Sequence, residues 1–299
     1  MTLSKSLYIR GLQCEKSLWL KKKKPGVLQA PDDSAQAIFD TGTSVGELAC
    51  ELFGGGERIE YTGDFGSQIA KTKELIEHGS KVIYEATFCF DGILVMVDIL
   101  RICEDGLIIN EVKSLTSVKE VYIDDASIQY YVISSLGYKV SGVNIIHIDS
   151  SYVRGEKLEL DKLFHAEDVT EQIIQKQAEI PQILNKFEEI LSKNVEPEVD
   201  IGLHCSNPYN CDAWEYCWCE QRGIPEYSIF NISRLRSDKK FDLYKNGVVK
   251  FEDIKDLDKF NASQQIQIRS ELSKEQIIDK EAIKEFLDTL SYPLYHLDF

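Results

Sequence analysis

Asp98, Glu111 and Lys113 are the residues whose types and spacing could do chemistry. Asp98 lies in the apolar run Ile93-Leu94-Val95-Met96-Val97-Asp98-Ile99-Leu100, and the other two in Ile108-Ile109-Asn110-Glu111-Val112-Lys113. Side chains on a strand alternate faces, so Glu111 and Lys113 share a side while Val112 points away from them into the core. One carboxylate and one ammonium then stand together. A carboxylate in a run as apolar as that around Asp98 is costly to bury unless it is paired or binds a cation. A divalent ion between Asp98 and Glu111 removes that cost, and the set matches the needs of a metal-dependent phosphodiester hydrolase. Glu-x-Lys alone also occurs on ordinary solvated strands, so other segments must agree before the triplet carries weight.

The elements that must position these residues can be read along the chain. Residues 1–24 read as a Cys-bearing helix and 32–53 as a second helix. A glycine-rich loop follows over 54–68, then a short helix over 69–79. Strands are expected over about 81–90, 92–103 and 106–114, the last two joined by the turn Glu104-Asp105-Gly106. A helix over Val121–Ile133 starts near Asp124-Asp125 and ends at Gly137. Val140–Ile148 reads as a further strand and about 168–193 as a hydrophilic helix. His147 falls on a strand and His165 in a loop, neither with ligand spacing. The fold class expected is α/β, a mixed sheet flanked by helices.

The cysteines form a second constellation. Cys205-x5-Cys211-x5-Cys217 sits in a short segment of turn formers and aromatics, and Cys14 supplies a distant fourth thiol, with Cys219 able to replace Cys217. No signal peptide or transmembrane run is apparent, so a cytoplasmic, reducing location without membrane association is expected, and a disulfide framework is not. Four thiolates suit zinc as well as an iron–sulfur cluster, and spacing leaves the two open beside ordinary buried thiols. Cys50, Cys89 and Cys103 lie in apolar periodic segments and are expected in the core.

The acid, hairpin and Glu-x-Lys string resembles the PD-(D/E)XK nuclease superfamily. With one N-terminal and three C-terminal cysteines bracketing it, the chain is similar to the RecB-like nucleases that carry a 4Fe-4S cluster, among them the CRISPR-associated RecB-like exonucleases and AddB. The resemblance implies a restriction-endonuclease-like core acting on DNA, as single strands or ends. It implies Mg2+ or Mn2+ held by Asp98, Glu111 and the carbonyl of Val112, with Lys113 orienting or deprotonating water, and a cluster on Cys14, Cys205, Cys211 and Cys217. The first gap of that triplet is more often shorter in those families. Gln129 matches the Gln of their Gln-x-x-x-Tyr helix motif, though Ile133 stands at the Tyr position and Tyr131 is the nearby alternative. Phe39-Asp40-Thr41-Gly42-Thr43-Ser44-Val45-Gly46-Glu47 has the form of their first motif. Glu47 would assist the metal from a helix packed closely on the sheet through Gly42 and Gly46, with Glu85 a second-ranked supplier. The cluster would be an architectural staple far from Asp98 and Glu111.

Composition sets limits. A net charge of -16 argues against broad attraction to nucleic acid, which depends on Lys and Arg neutralising phosphates. The basic exception is 1–24, with Lys5, Arg10, Lys16 and Lys21–Lys24 against the single acid Glu15, a candidate DNA contact. The organisation expected is 1–222 for the nuclease-like domain and 223–290 for a small all-helical module, with Asp242–Ile254 as helix, Gly cap and helix. Residues 291–299 read as the start of a strand, resembling the entry into a DEDD exonuclease domain of ribonuclease H-like fold, with Asp298 its first acid. The competing readings are a non-catalytic nucleic-acid-binding module on a degenerate nuclease fold, and a redox or metal-storage protein.

Overall fold

Apolar alternation through 82–113 produces a three-stranded antiparallel meander, and the rest of the sheet is built onto it. The computed structural model describes residues 2–297. It divides into two compact units, Met1–Tyr216 and Cys217–Phe299. In chain order the first unit contains β1 (Leu3–Ser4), α1 (Lys5–Gln13), α2 (Glu15–Lys23), α3 (Asp33–Cys50), β2 (Glu57–Arg58), α4 (Phe65–Glu77) and β3 (Val82–Phe90). It continues with β4 (Ile93–Cys103), β5 (Gly106–Lys113), α5 (Glu120–Ser135), β6 (Val140–Ile148), α6 (Leu160–Leu163), β7 (Phe164–Asp168), α7 (Thr170–Lys176) and α8 (Ile180–Ser192). The seven strands form one mixed sheet in the order β2-β3-β4-β5-β6-β7, with β1 added beside β4. This is the α/β class expected, a mixed sheet with helices against it, consistent with a restriction-endonuclease-like core.

The turns fix the meander. Asp91 and Gly92 both have positive φ, 48° and 74°, the conformation of a two-residue turn whose twist matches the strands. Gly106 opens β5 at φ 140°, where a Cβ would lie 2.4 Å from the carbonyl oxygen of Lys139, so no other residue fits without moving the backbone. From β5 the chain crosses through α5 to the parallel β6. One face of the sheet, with Ile83, Val97, Ile109 and Ile145, packs against Ile128 and Val132 of α5 and Tyr8 and Ile9 of α1. The other, with Tyr84, Ile99, Val112 and Ile146, packs against Val45, Leu48 and Ala49 of α3.

Several boundaries differ from the sequence expectation for physical reasons. The expected helix over 1–24 is two helices, because Cys14 is extended (φ −162°, ψ 115°) and serves both as C-cap of α1 and as N-cap of α2. The helix expected from 69 begins at Phe65, where the Asp64 side chain accepts from the Ser67 N–H. The helix expected over 168–193 is split into α7 and α8, with Pro181 in the first turn of the second, where a missing N–H costs nothing. Phe164–Asp168 is a strand paired with β6, which places His165 opposite His147 instead of in a loop. Cys50, Cys89 and Cys103 are half-buried, not core residues.

The second unit gathers Ile229, Ile232, Phe251, Phe260 and Ile268 into its own core. It carries α9 (Ser237–Lys245), α10 (Ala262–Ser273) and α11 (Lys280–Asp288). After α9 and Gly247 the second helix expected is only the 3-10 turn Phe251–Asp253. Residues 291–297 are not in a strand among the described residues. Asp298 lies outside the described residues. Among the described residues no helix is long and apolar enough to cross a membrane.

Candidate active site

The site forms where the sheet ladder fails. β4 and β5 pair only from Ile99 opposite Asn110 to Cys103 opposite Gly106. One step on, where Asp98 would face Glu111, the strands part, and the N–H of Val112 donates to Asp98 Oδ2 at 2.7 Å instead of to a strand carbonyl. On the same edge of β4, β1 pairs only at Ile93 and Leu94, leaving Val95–Asp98 without a ladder partner there. On the opposite edge, β3 pairs through Tyr84–Ile99 and Ala86–Val97 but not between Glu85 and Asp98. Glu85 has φ 60°, rare for a non-glycine residue and costly in mid-strand. There the alternation of faces reverses on both strands. Ala86 and Val97 pack on the α5 side, while Tyr84 and Ile99, next in the ladder, pack on the α3 side.

Into this fork come four further side chains. Glu111 is 1 % exposed. Its Oε1 accepts from Lys113 Nζ at 2.7 Å and from Lys5 Nζ at 2.8 Å, and its Oε2 from Gln129 Nε2 at 2.7 Å. Lys113 Nζ also donates to Asp125 Oδ2 at 2.7 Å, and Lys5 Nζ lies 3.5 Å from Asp125 Oδ1. Asp125 and Gln129 stand four residues apart on α5, hence on one helix face, and Tyr122 on the preceding turn sets its ring 5.2 Å from Lys113 Nζ. Among the described residues, Asp125 Oδ1 and Gln129 Oε1 are buried and accept no hydrogen bond.

Burial and neighbouring charge divide the carboxylates. Burial, reinforced by the charge of Glu111, pushes Asp98 up to about 7. Glu111 is held well below the usual carboxylate range: burial opposes this, but the Lys113 and Lys5 ammoniums outweigh it. Asp125 is raised by burial and by Glu111, against the pull of both lysines. Lys113 is raised well above its ordinary value, the carboxylates around it overcoming burial, and so stays an ammonium. Glu85 is raised by burial and feels Arg58, Lys5 and Glu111.

Hard oxygen donors from two buried acids, with orphaned acceptors beside them, suit Mg2+ or Mn2+. As the side chains stand, no group of three His, Cys, Asp or Glu among the described residues forms a ready metal cage. Both oxygens of Glu111 are taken, by lysine ammoniums and the Gln129 amide.

Asp98, Glu111, Lys113 and Gln129 are thus brought together, and Glu47 is not. It is exposed on α3, whose apolar residues cover the Val112 face, and no hydrogen bond or ion pair joins it to the other acids. Nor do Gly42 and Gly46 provide close packing, since a Cβ built on either meets nothing within 4 Å. Sequence reasoning missed Lys5 and Asp125. The only signal was a polar residue four before Gln129 in an otherwise apolar helix. A two-residue strand such as β1 leaves no pattern to read.

The strain at Glu85 is testable on its own. Glu85→Gly should leave stability in urea unchanged or raise it by about 1 kcal/mol, and Glu85→Val, β-branched at positive φ, should cost about 2 kcal/mol or more. Equal stability of the two variants would show that the backbone there carries no strain.

The thiols gather in part. Cys14 is raised by burial and by the nearby thiols of Cys211 and Cys205. The Cys211 N–H donates to the Cys205 carbonyl at 2.9 Å, and Arg10 binds Asp212, next to Cys211, through two hydrogen bonds of 2.7 Å each. Cys217 belongs to the second unit, where its carbonyl accepts from Arg222 at 2.6 Å. One residue of the cysteine segment, Tyr209, relates both to α1 and to the acids. Between Cys205 and Cys211, the Tyr209 main-chain oxygen accepts from Gln13 Nε2 at 2.6 Å. Its hydroxyl is raised by partial burial and feels the charges of Lys113, Asp125 and Glu111.

The chain is similar in structure to an alkaline exonuclease, LHK-Exo, from Laribacter hongkongensis, at 15% identity and a TM-score of 0.28 over 64% of this chain and 90% of that one. It is also similar to SSO0001, at 12% identity and a TM-score of 0.23 over 60% of this chain and 76% of that one. Likenesses this slight do not bear on the chemistry. No family model matches the sequence, and no curated protein does.

Proposed function

We propose that the first unit is a metal-dependent nuclease of the PD-(D/E)XK, RecB-like type, hydrolysing phosphodiester bonds of DNA as single strands or from ends. The observation that supports this best is the buried Glu111, shared by Lys113, Lys5 and Gln129 beside Asp98 at the parting of β4 and β5. Mg2+ or Mn2+, held by Asp98, Glu111 and the Val112 carbonyl with Glu85 the nearer candidate for a further carboxylate, would supply an acidified water and positive charge at the phosphate. The protein's own residues do the remainder. Lys113, pinned between Glu111 and Asp125, orients the water or helps to deprotonate it, and stabilises developing negative charge. Gln129 fixes the Glu111 carboxylate through Oε2. For the cysteines a 4Fe-4S cluster on the four ligands expected from the sequence remains the proposal, with a zinc centre its rival.

The test is release of nucleotides from end-labelled single-stranded DNA in Mn2+. The parent should degrade it, and Lys113→Ala should be slower by about a thousandfold with an unchanged circular dichroism spectrum. A Lys113→Ala protein as active as the parent would eliminate the mechanism. A parent that binds single strands but cleaves none in Mg2+ or Mn2+ would leave a nucleic-acid-binding module.

A further inference from the structure

The acid cluster already contains an ammonium, Lys5, that the nuclease reading uses only to hold Glu111. Lys5 is the residue immediately after β1 and the first of α1. Pairing of Ser4 with Leu94 lays β1 along the part of β4 that β5 does not reach, so the chain delivers Lys5 into the fork beside Asp98. The Ser4 hydroxyl caps α1 by accepting from the Leu7 N–H at 3.3 Å, which fixes the backbone at this point. Only the long side chain is left to move, and it is 22 % exposed against 2 % for Glu111.

Occupancy of Glu111 decides what must happen when a divalent ion enters. Its Oε1 already accepts from Lys5 and Lys113 and its Oε2 from Gln129. An ion that binds this carboxylate has to take the place of one of these donors, and an ammonium is also repelled by the ion's charge. The more loosely held ammonium is the one to withdraw. Lys113 is the last residue of β5, opposite His147, and two short bonds, to Glu111 and Asp125, hold its ammonium. Lys5 makes one short bond to Glu111 and a longer approach to Asp125. The buried Asp125 Oδ1 and Gln129 Oε1, which accept no hydrogen bond, mark where water or a cation would be received once it goes.

Resting on the nuclease reading, we propose that Lys5 is a phosphate-binding residue of this site, parked on Glu111 and Asp125 until a divalent cation displaces it towards the phosphodiester of a nucleic-acid strand. The acidity of the site is thereby partly offset. Its affinity for the cation and for the strand are linked through one side chain, because the cation sets free the group that binds the phosphate.

Calorimetric titration of the whole protein with Mn2+ alone, comparing the parent with Lys5→Met and Lys5→Gln, reads the first half directly. Both variants should bind Mn2+ more tightly than the parent, by roughly tenfold, since the internal competitor is gone. In saturating Mn2+, both should hold a phosphorothioate-linked single strand roughly tenfold more weakly than the parent. Lys5→Arg, which keeps the charge, should stay near the parent in both. If Lys5→Met does not fold, Lys5→Gln decides. Variants that bind Mn2+ no better than a parent that does bind it would overturn the role of Lys5 and leave the nuclease reading in place. Variants that bind it more tightly but hold the strand as the parent does would overturn the phosphate role. Failure of every form to bind Mn2+ would remove both readings.

Discussion

Asp98→Asn is expected to raise the melting temperature at pH 8 without divalent cation and, in the same protein, to abolish Mn2+-dependent cleavage of DNA. Burial, then the charge of Glu111, lifts Asp98 from 3.8 to about 7. Between those two values the folded state keeps a proton that the unfolded chain has given up, so stability falls as pH rises across that window. Above it the deficit is complete, on the order of 2–4 kcal/mol, or about 5–10 °C in a domain of this size. Asparagine is neutral at every pH and keeps an oxygen for the Val112 N–H, so it should recover that stability, and the gain should shrink as pH is lowered towards 4. Loss of the carboxylate removes a proposed cation ligand, worth orders of magnitude in rate. Identical melting of parent and variant at pH 8 would mean that the protein does not strain this acid. Undiminished cleavage would mean that Asp98 is not in the site.

Cys14→Ser and Cys211→Ser should have the largest effect on stability. The anaerobically purified parent is expected to be brown, with the broad violet-to-blue absorbance of a 4Fe-4S cluster, and Cys14→Ser to lose the colour and melt far below the parent. Folding free energy bound up in a thiolate metal site can reach ~10 kcal/mol, comparable to the stability of a whole domain. Tyr209 lies between Cys205 and Cys211 and feels the acids, so loss of the thiol centre should lower affinity for single strands as well. Glu111→Gln is the control. It should keep the brown colour while losing turnover, and its melting should fall only by what the Lys5 and Lys113 ammoniums lose with their carboxylate. Colourless protein with one stoichiometric zinc would replace the cluster by the rival metal. Parental melting of a colourless Cys211→Ser protein would show that the thiols hold nothing structural.

The parts of the fold read correctly are those whose signal is local. Strands β3, β4, β5 and β6 were legible within one or two residues because each has a long apolar run bounded by a turn former, as with Asp91-Gly92 and Glu104-Asp105-Gly106. Helix α5 was legible from its periodicity and from Gly137. Errors fell where the deciding interaction comes from outside the segment. Phe164–Asp168, expected as a loop at His165, is a strand because β6 offers it an edge. Cys14 breaks a helix that propensity alone would continue.

The same division runs through the site. The sequence by itself determined that Asp98 is a costly acid in an apolar run, that Glu111 and Lys113 share a strand face, and that Gln129 follows on a helix, because residue type and a period of two or 3.6 are properties of a short stretch. Only the tertiary structure decided that Glu47 is exposed on a helix covering the other face, while Glu85 sits in the fork at a strained backbone. Only it could bring Lys5, 106 residues from Glu111 in sequence, within 2.8 Å of that carboxylate. The physical reason is that a buried charge takes its partner from whatever the topology places beside it. Here β1 pairs with β4 where β5 has turned away, a register set by the whole sheet and by no residue of the site.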